Sequence, residues 1–170
     1  EEISRLGNDV TVFSMMHHVK ETREWDLSRR RFGFVHAILP GFVIPRRQWA
    51  FPLAVNFGVI PTLYRANPDI VISTGGFSLA NIASFAYSKL WRKKFVNWCE
   101  FTLEDGSRKF WLKRLIRNLL SRYADGCIAS SSPSKEAFKH FGANPDKVKI
   151  ILLPVEVASF HGRAMAYRES

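Results

Sequence analysis

The apolar positions of this chain alternate between two spacings, which predict strands and helices in turn. Compact runs of β-branched and apolar residues predict strands, because such residues fit a pleated and buried surface. Apolar residues that recur at intervals of three and four predict helices with one apolar face. The predicted strands are 9–15, 32–39, 69–73, 94–100, 126–130 and 148–153. The predicted helices are 47–65, 78–90, 107–123 and 134–141.

This order of elements is typical of an α/β domain, a parallel sheet with helices on both faces. The helix over 47–65 is expected to be broken, because Pro52 and Pro61 fall inside it. The strand over 69–73 is a short apolar run, which is typical of a strand buried on both faces. The helix over 134–141 is expected to begin at a capping Ser132 or Ser134.

A length of 170 residues corresponds to one domain with a core of its own. We expect residues 1–160 to form this domain and residues 161–170, which show no periodicity, to be a linker or tail. The chain opens with a helical pattern that already ends at Gly7, so we expect the first strand of the domain to be missing. The longest uncharged stretch, 48–64, contains two prolines and falls short of the ~20 apolar residues of a membrane span.

Cysteine and histidine spacing gives no indication of a metal site. Cys99 and Cys127 both fall inside predicted strands, and no CxxC or Cys/His metal spacing exists. We interpret the two cysteines as small core side chains of a protein in a reducing compartment.

In open α/β sheets, ligands bind beyond the carboxyl ends of the strands, and this rule nominates three loops. The first follows the strand over 69–73 and contains two glycines, which let backbone approach a ligand, before a helix whose free N–H groups suit an anion. The predicted ligand- or phosphate-binding residues there are Gly75, Gly76, Phe77 and Ser78. The alternative is a purely structural turn. The loop matches neither a Walker P-loop nor GxGxxG, so no nucleotide site is predicted.

The second and third loops follow the strands over 94–100 and 126–130. Glu100 is the predicted catalytic residue, because a carboxylate there can orient a ligand hydroxyl or accept its proton; the alternative is an ion pair with a nearby cation. Thr102 is predicted to hold ligand hydroxyls beside it. In the third loop Ser131 is either part of a helix cap or a hydrogen-bonding group for the ligand.

The net charge of +10 is concentrated in residues 89–122, which hold ten Lys and Arg against three acids. In the predicted helix over 107–123, cations alternate with aromatic residues, a pattern that suits an anionic membrane surface. The alternative is a solvated helix face with its aromatic side chains turned inward. Nucleic acid is an unlikely partner, since no helix-turn-helix, zinc, RRM or KH signature exists. The predicted membrane-docking residues are Lys109, Phe110, Trp111, Lys113, Arg114 and Arg117.

Residues 123–160 carry a complete α/β repeat: a strand, a Ser-rich turn, a short helix, the stop at Gly142, and a strand ending at Pro154. The order and spacing of this segment resemble the end of the first domain of family 4 glycosyltransferases, which have the two Rossmann-like lobes of the GT-B fold. The resemblance implies that the chain is the N-terminal, acceptor-side lobe. It implies that Glu100, Thr102 and Ser131 meet hydroxyls of the sugar acceptor, and that the loop from Gly75 to Ser78 lines the acceptor or the donor phosphate. It also implies that Glu100 ends the fifth strand, where the family commonly carries a His or acidic residue in the cleft.

The resemblance further implies an enzyme of hexosyltransferase type that moves a sugar from a nucleotide-sugar to a hydroxyl of a lipid-linked or polysaccharide acceptor. In the family the C-terminal lobe binds the nucleotide-sugar, so this lobe is expected to bind no cofactor. The isolated chain is expected to be inactive without that lobe or a partner chain that supplies it. The expected location is cytoplasmic, peripheral on the inner membrane face, with the anionic membrane surface as a partner.

Three alternatives remain. The segments 68–78 and 93–102 also resemble the lipid-linked N-acetylglucosaminyltransferase of peptidoglycan synthesis, which has a Gly-Gly loop and a Glu at the same relative places. The chain is otherwise a non-catalytic subunit that docks on a membrane or binds an acceptor for a separate donor-binding chain. A Rossmann-like binding protein of unrelated function is the third.

Overall fold

The computed structural model describes residues 7–15, 34–44, 53–74, 78–104 and 111–152. The strands are β1 Thr11–Ser14, β2 Val35–Ile38, β3 Phe42–Ile44, β4 Leu53–Val55, β5 Ile70–Thr74, β6 Lys94–Cys99, β7 Gly126–Ala129 and β8 Val148–Ile150. The helices are α1 Val59–Ala66, α2 Leu79–Leu90, α3 Trp111–Tyr123 and α4 Ser132–His140, with a 3-10 turn at Pro145–Lys147.

The largest sheet has four parallel strands in the order β5-β6-β7-β8, and each neighbouring pair is joined through a helix. β1 and β2 form a separate parallel pair, and β3 and β4 form an antiparallel one. Parallel strands joined by crossover helices are the defining feature of α/β domains, so the predicted fold class is confirmed.

The described helices pack against one face of the four-stranded sheet. Phe95, Cys127 and Ala129 of β6 and β7 point to this face and join one apolar core with Leu120 of α3 and Phe138 of α4. A second core cluster joins β5 to the first two helices. It consists of Leu39, Val59, Leu63, Val71, Ala80 and Tyr87. Cys99 and Cys127 are buried as thiols, and burial raises the pKa of the Cys127 thiol to about 12.

The prediction that both faces of β5 are buried is wrong. Val71 lies in the core, but Ile70 and Ile72, on the opposite face, are 58% and 50% exposed. The reason is that β5 to β8 follow each other in sequence order, so right-handed crossovers carry all the connecting helices to the same face. A helix layer on the second face stays a prediction.

The prediction of a broken helix over 47–65 is wrong in its first half. Leu53–Val55 forms β4, which pairs with β3, and the helix begins only at Val59. Strand pairing, a tertiary effect that the local pattern does not contain, overrides the helical periodicity there. Pro61 lies in the first turn of α1, where a missing N–H costs no helical hydrogen bond. Residues 45–52 lie outside the described ranges.

Gly58 shows why the turn before α1 requires a glycine. Its N–H donates to the carbonyl of Pro40 at 3.3 Å, which brings the two backbones together. A Cβ at Gly58 would lie 2.6 Å from the Pro40 ring, well inside van der Waals contact. Gly142 ends the turn after α4 at a φ of +85°, as its predicted role as a helix stop requires.

Asp125, the residue before β7, joins the amino end of β7 to that of β6. Its carboxylate accepts a hydrogen bond from the Phe95 N–H at 3.0 Å and lies 2.9 Å from Nζ of Lys89 and 3.5 Å from Nζ of Lys94. Its own N–H donates to the carbonyl of Phe95 at 2.8 Å. Partial burial raises the pKa of Asp125, but the Phe95 N–H and the two ammonium groups lower it more, so the pKa lies below its usual value.

Replacing Asp125 by Asn is predicted to lower the free energy of unfolding at pH 7 by about 1–3 kcal/mol, the usual range for hydrogen bonds to a charged group. Because the folded-state pKa is depressed, this contribution is complete above the unfolded value of ~4 and is lost as pH falls through the folded value. Urea unfolding of wild type and D125N should therefore differ equally at pH 5 and pH 7, and less below about pH 4. Asp69, fully exposed and 3.9 Å from Lys93 Nζ, provides the control D69N, which should change little. A D125N penalty that grows on acidification would contradict this account.

Candidate functional site

The carboxyl ends of β5, β6 and β7 meet at one edge of the sheet. Thr74 at the end of β5 pairs with Trp98, and Cys99 at the end of β6 pairs with Ala129 at the end of β7. This register places Glu100, the first residue beyond β6, between the loops that follow β5 and β7. Glu100 is exposed, so its carboxylate is open to a ligand from solvent.

The backbone on the amino side of Glu100 is fixed by α4. Ser134, completely buried in the first turn of α4, donates its hydroxyl to the carbonyl of Cys99 at 2.9 Å. The hydroxyl thus ties the start of α4 to the end of β6, one residue before Glu100. A hydrogen bond made entirely inside the protein is costly to break, because the carbonyl would lose a partner that water cannot replace.

The backbone on the carboxyl side of Glu100 is fixed by the Phe101 side chain, which is buried between α3 and α4. The ring centre of Phe101 lies 5.0 Å from that of Phe138 and 5.4 Å from that of Phe141. The guanidinium carbon of Arg117 lies 4.5 Å from the Phe101 ring centre and 5.8 Å from that of Phe141. The segment that carries Glu100 is therefore anchored on both sides, which restricts the positions that its carboxylate can reach.

A buried polar chain links the start of α2 to the same strand end. Asn81 Nδ2 donates to Asn97 Oδ1 at 3.5 Å, and the Cys99 thiol donates to the same oxygen at 3.3 Å. Ser78 caps α2, as its hydroxyl accepts the N–H of Asn81 at 3.0 Å. The predicted binding residue Ser78 is thus connected to the end of β6 through Asn81 and Asn97, and its hydroxyl keeps a proton to donate.

Ser131 is the N-cap of α4, since its hydroxyl accepts the N–H of Ser134 at 3.3 Å. The cap interpretation is confirmed, although the predicted cap residues were Ser132 and Ser134. Its role in acceptor binding stays a prediction. Thr102 is half-buried just beyond Phe101. Gly75, Gly76 and Phe77 lie outside the described residues, as do Lys109 and Phe110. Within the described ranges, no group of His, Cys, Asp or Glu is arranged to hold a metal ion.

The prediction that Arg117 belongs to an exposed docking face is wrong. Its side chain is only 5% exposed, because the rings of Phe101 and Phe141 attract the guanidinium inward. Trp111 and Arg114 are exposed, and Lys113 is half-buried. The alternative, in which the aromatic face turns inward, fails for Trp111, which is 75% exposed.

Three residues that shape the site were missed by sequence reasoning. Asn97 lies on the buried face of a central strand. A polar residue among the inward-facing positions of a predicted strand is a signal that the sequence contains. Ser134 was assigned to a cap, but its contact with Cys99 spans 35 positions of the chain and has no local signature. The inward position of Arg117 contradicts the usual pattern of charged residues on a helix, so only the structure could reveal it.

Replacing Ser134 by Ala is predicted to lower the free energy of unfolding by about 1–2 kcal/mol, because the Cys99 carbonyl loses a buried donor. The matched control is S132A, at an exposed position in the first turn of the same helix, which should stay within ~0.5 kcal/mol of wild type. Urea unfolding monitored by circular dichroism measures both. Equal effects of the two substitutions would show that the Ser134 bond does not hold the strand end.

The sequence model of Glycosyltransferase Family 4 matches residues 1–159, nearly the whole chain. This match confirms the resemblance of residues 123–160 to that family. No curated protein sequence matches the chain significantly.

Several solved structures resemble the described fold. Anabaena Alr3699/HepE in complex with UDP and glucose gives a TM-score of 0.53 at 19% identity, over 74% of this chain and 33% of that one. The same protein in complex with UDP-glucose gives 0.48 at 22% identity, over 59% and 26%. A putative UDP-N-acetylglucosamine 2-epimerase from Listeria monocytogenes gives 0.44 at 19% identity, over 54% and 24%. The chain thus spans a third or less of the length of these proteins.

The first of these likenesses shows a shared fold, and the family match extends over nearly all of the chain. Together with the parallel sheet and its crossover helices, they make this a Rossmann-like α/β domain of the kind found in GT-B glycosyltransferases. The chain belongs to glycosyltransferase family 4.

Proposed function

We propose that this chain is the acceptor-side lobe of a glycosyltransferase that moves a sugar from a nucleotide-sugar to a hydroxyl of a lipid-linked or polysaccharide acceptor. The observation that carries the proposal is Glu100, an exposed carboxylate held at the ligand-binding edge of a family 4 domain. The proposed enzyme is of hexosyltransferase type. Its proposed location is cytoplasmic and peripheral to the membrane.

In the proposed reaction, the Glu100 carboxylate accepts a hydrogen bond from the acceptor hydroxyl and orients its oxygen toward the sugar. The acceptor oxygen forms a bond to the anomeric carbon while the bond from that carbon to the nucleotide phosphate breaks. The hydroxyl proton passes to Glu100 or, through it, to the departing phosphate. A positioned carboxylate within hydrogen-bond reach of the proton is what general base catalysis requires.

The anchoring of Glu100 supports this role. Ser134 fixes the backbone before it, and Phe101 fixes the backbone after it. A carboxylate held in place loses less freedom when the acceptor binds, so more of the binding free energy remains for orienting the hydroxyl. The proposed partners of further acceptor hydroxyls are Thr102, two residues after Glu100, and Ser78, which caps the helix joined to β6 through Asn81 and Asn97.

The proposal places the nucleotide-sugar on a second, donor-binding lobe, supplied by the same polypeptide or by a partner chain. In the described part of the loop after β6, Glu100 and Glu104 are both exposed acids, and their negative charge disfavours a diphosphate beside them. This lobe alone is therefore proposed to bind the acceptor without transferring sugar to it.

Replacing Glu100 by Gln in the complete enzyme is predicted to lower kcat at least about 100-fold, the usual contribution of a positioned general base. The KM for the nucleotide-sugar should change little, since the donor is proposed to bind elsewhere. The assay follows release of the nucleoside diphosphate in the presence of acceptor.

The control variant is E104Q, which removes a second exposed carboxylate four residues further along the chain. It should keep wild-type kcat. Urea midpoints of both variants should equal that of wild type, because both side chains are exposed. A kcat for E100Q within a factor of about three of wild type would remove Glu100 from the mechanism.

A further inference from the structure

Helix α3 is turned so that its apolar face points away from the core. Its buried residues are Arg117, Leu120 and Ser121. Five large apolar side chains lie together on the opposite side, since positions 111, 115, 119 and 123 are four apart and position 112 adjoins them. We call this set the apolar stripe. Its members are Trp111 at 75% exposure, Leu112 at 46%, Leu115 at 54%, Leu119 at 44% and Tyr123 at 53%.

This orientation is unfavourable for a helix that meets only water. Rotating α3 about its axis would exchange exposed leucines for the buried Arg117, which surface helices normally place in solvent. The contact of Arg117 with Phe101 and Phe141 nevertheless holds the helix as it is. A contiguous exposed apolar stripe of this kind marks a surface that binds another protein or a membrane.

The charge around the stripe indicates which of these two partners it binds. α3 contains four cations and no acid, and the chain carries a net charge of +10. Arg114 and Arg122 are exposed beside the stripe, and the guanidinium carbon of Arg122 lies 5.8 Å from the ring centre of Tyr123. Leucine and aromatic residues on one face with flanking cations and no acids are the composition of helices that lie in the interface of anionic bilayers.

We propose that the apolar stripe of α3 inserts into the interfacial layer of an anionic bilayer, with Arg114 and Arg122 against the lipid phosphates. A second copy of this chain fits less well as the occupant, because two molecules each carrying +10 repel one another. This inference rests on the proposed function and deepens it, because it names the surface by which a membrane-peripheral lobe meets the bilayer.

The geometry also explains why the stripe would matter to the site. α3 leads from the carboxyl-end side of β6 back to the amino end of β7, so its first residue, Trp111, begins on the side of the sheet that carries Glu100. Arg117 of the same helix contacts Phe101, the neighbour of Glu100. A bilayer bound along the stripe would therefore approach the acceptor edge and bring lipid-linked acceptors close to it. Among the described helices, none has the length and hydropathy to cross the bilayer.

The test measures binding of the chain to sucrose-loaded vesicles of phosphatidylcholine alone or with one third phosphatidylglycerol, at low and high salt. Binding should require the anionic lipid and weaken at high salt. The double variant L115S/L119S should lower the partition constant about tenfold or more, as expected from removing two leucines from an apolar phase. Lipids brominated on their acyl chains should quench tryptophan fluorescence in wild type, and less in W111F.

The matched control is L90S, which removes an exposed leucine at the end of α2 and should bind as wild type does. The urea midpoints of L115S/L119S and wild type should agree, because the changed side chains are exposed. Unchanged vesicle binding in L115S/L119S, or no quenching at all, would overturn the proposal. So would a concentration-dependent dimer in light scattering that L115S/L119S abolishes, since the stripe would then be a protein interface. If the stripe does not bind the bilayer, the complete enzyme should still transfer sugar to a soluble acceptor. Failure of the membrane proposal can therefore be distinguished from failure of the proposed function.

Discussion

The contact between Arg117 and Phe101 fixes the rotation of helix α3, and much of the described domain depends on it. The guanidinium lies 4.5 Å from the ring centre in an almost fully buried position. Burying a guanidinium is costly, and the electron-rich faces of Phe101 and Phe141 offset part of that cost. Once Arg117 points inward beside Leu120, the three-and-four spacing of the helix leaves Leu112, Leu115 and Leu119 no place in the core.

Two consequences on opposite sides of α3 follow from this one contact. On the inner side, Phe101 is held between α3 and α4, and Glu100 is presented at the sheet edge by an anchored segment. On the outer side, the apolar stripe is exposed. The residue that stabilises the proposed catalytic segment is therefore the same residue that turns the proposed bilayer-binding face outward, so the two surfaces cannot be altered independently through Arg117.

Most of the fold was predictable from the sequence, because strands such as 126–130 and helices such as 78–90 carry strong local patterns and clear stops. The antiparallel pair β3 and β4 was not predictable, because it depends on the pairing of two separate segments and local patterns do not contain that information. At the site, Glu100 followed from the rule on strand ends, whereas its anchoring by Ser134 did not, because residues distant in sequence make the contact. The exposed position predicted for Arg117 was the largest error at α3, because a contact with the Phe101 ring draws its guanidinium inward and helical spacing does not show this.

A double-mutant cycle between Arg117 and Phe101 tests the orientation of α3 most directly. The free energies of unfolding of wild type, R117M, F101L and the double variant give the coupling between the two side chains without assuming what either contributes alone. The account predicts a favourable coupling of about 1–2 kcal/mol, the range for a desolvated cation over an aromatic ring. A coupling within ~0.3 kcal/mol of zero would contradict it, because Arg117 would then not lie against Phe101 and the apolar stripe would lose its reason to face outward.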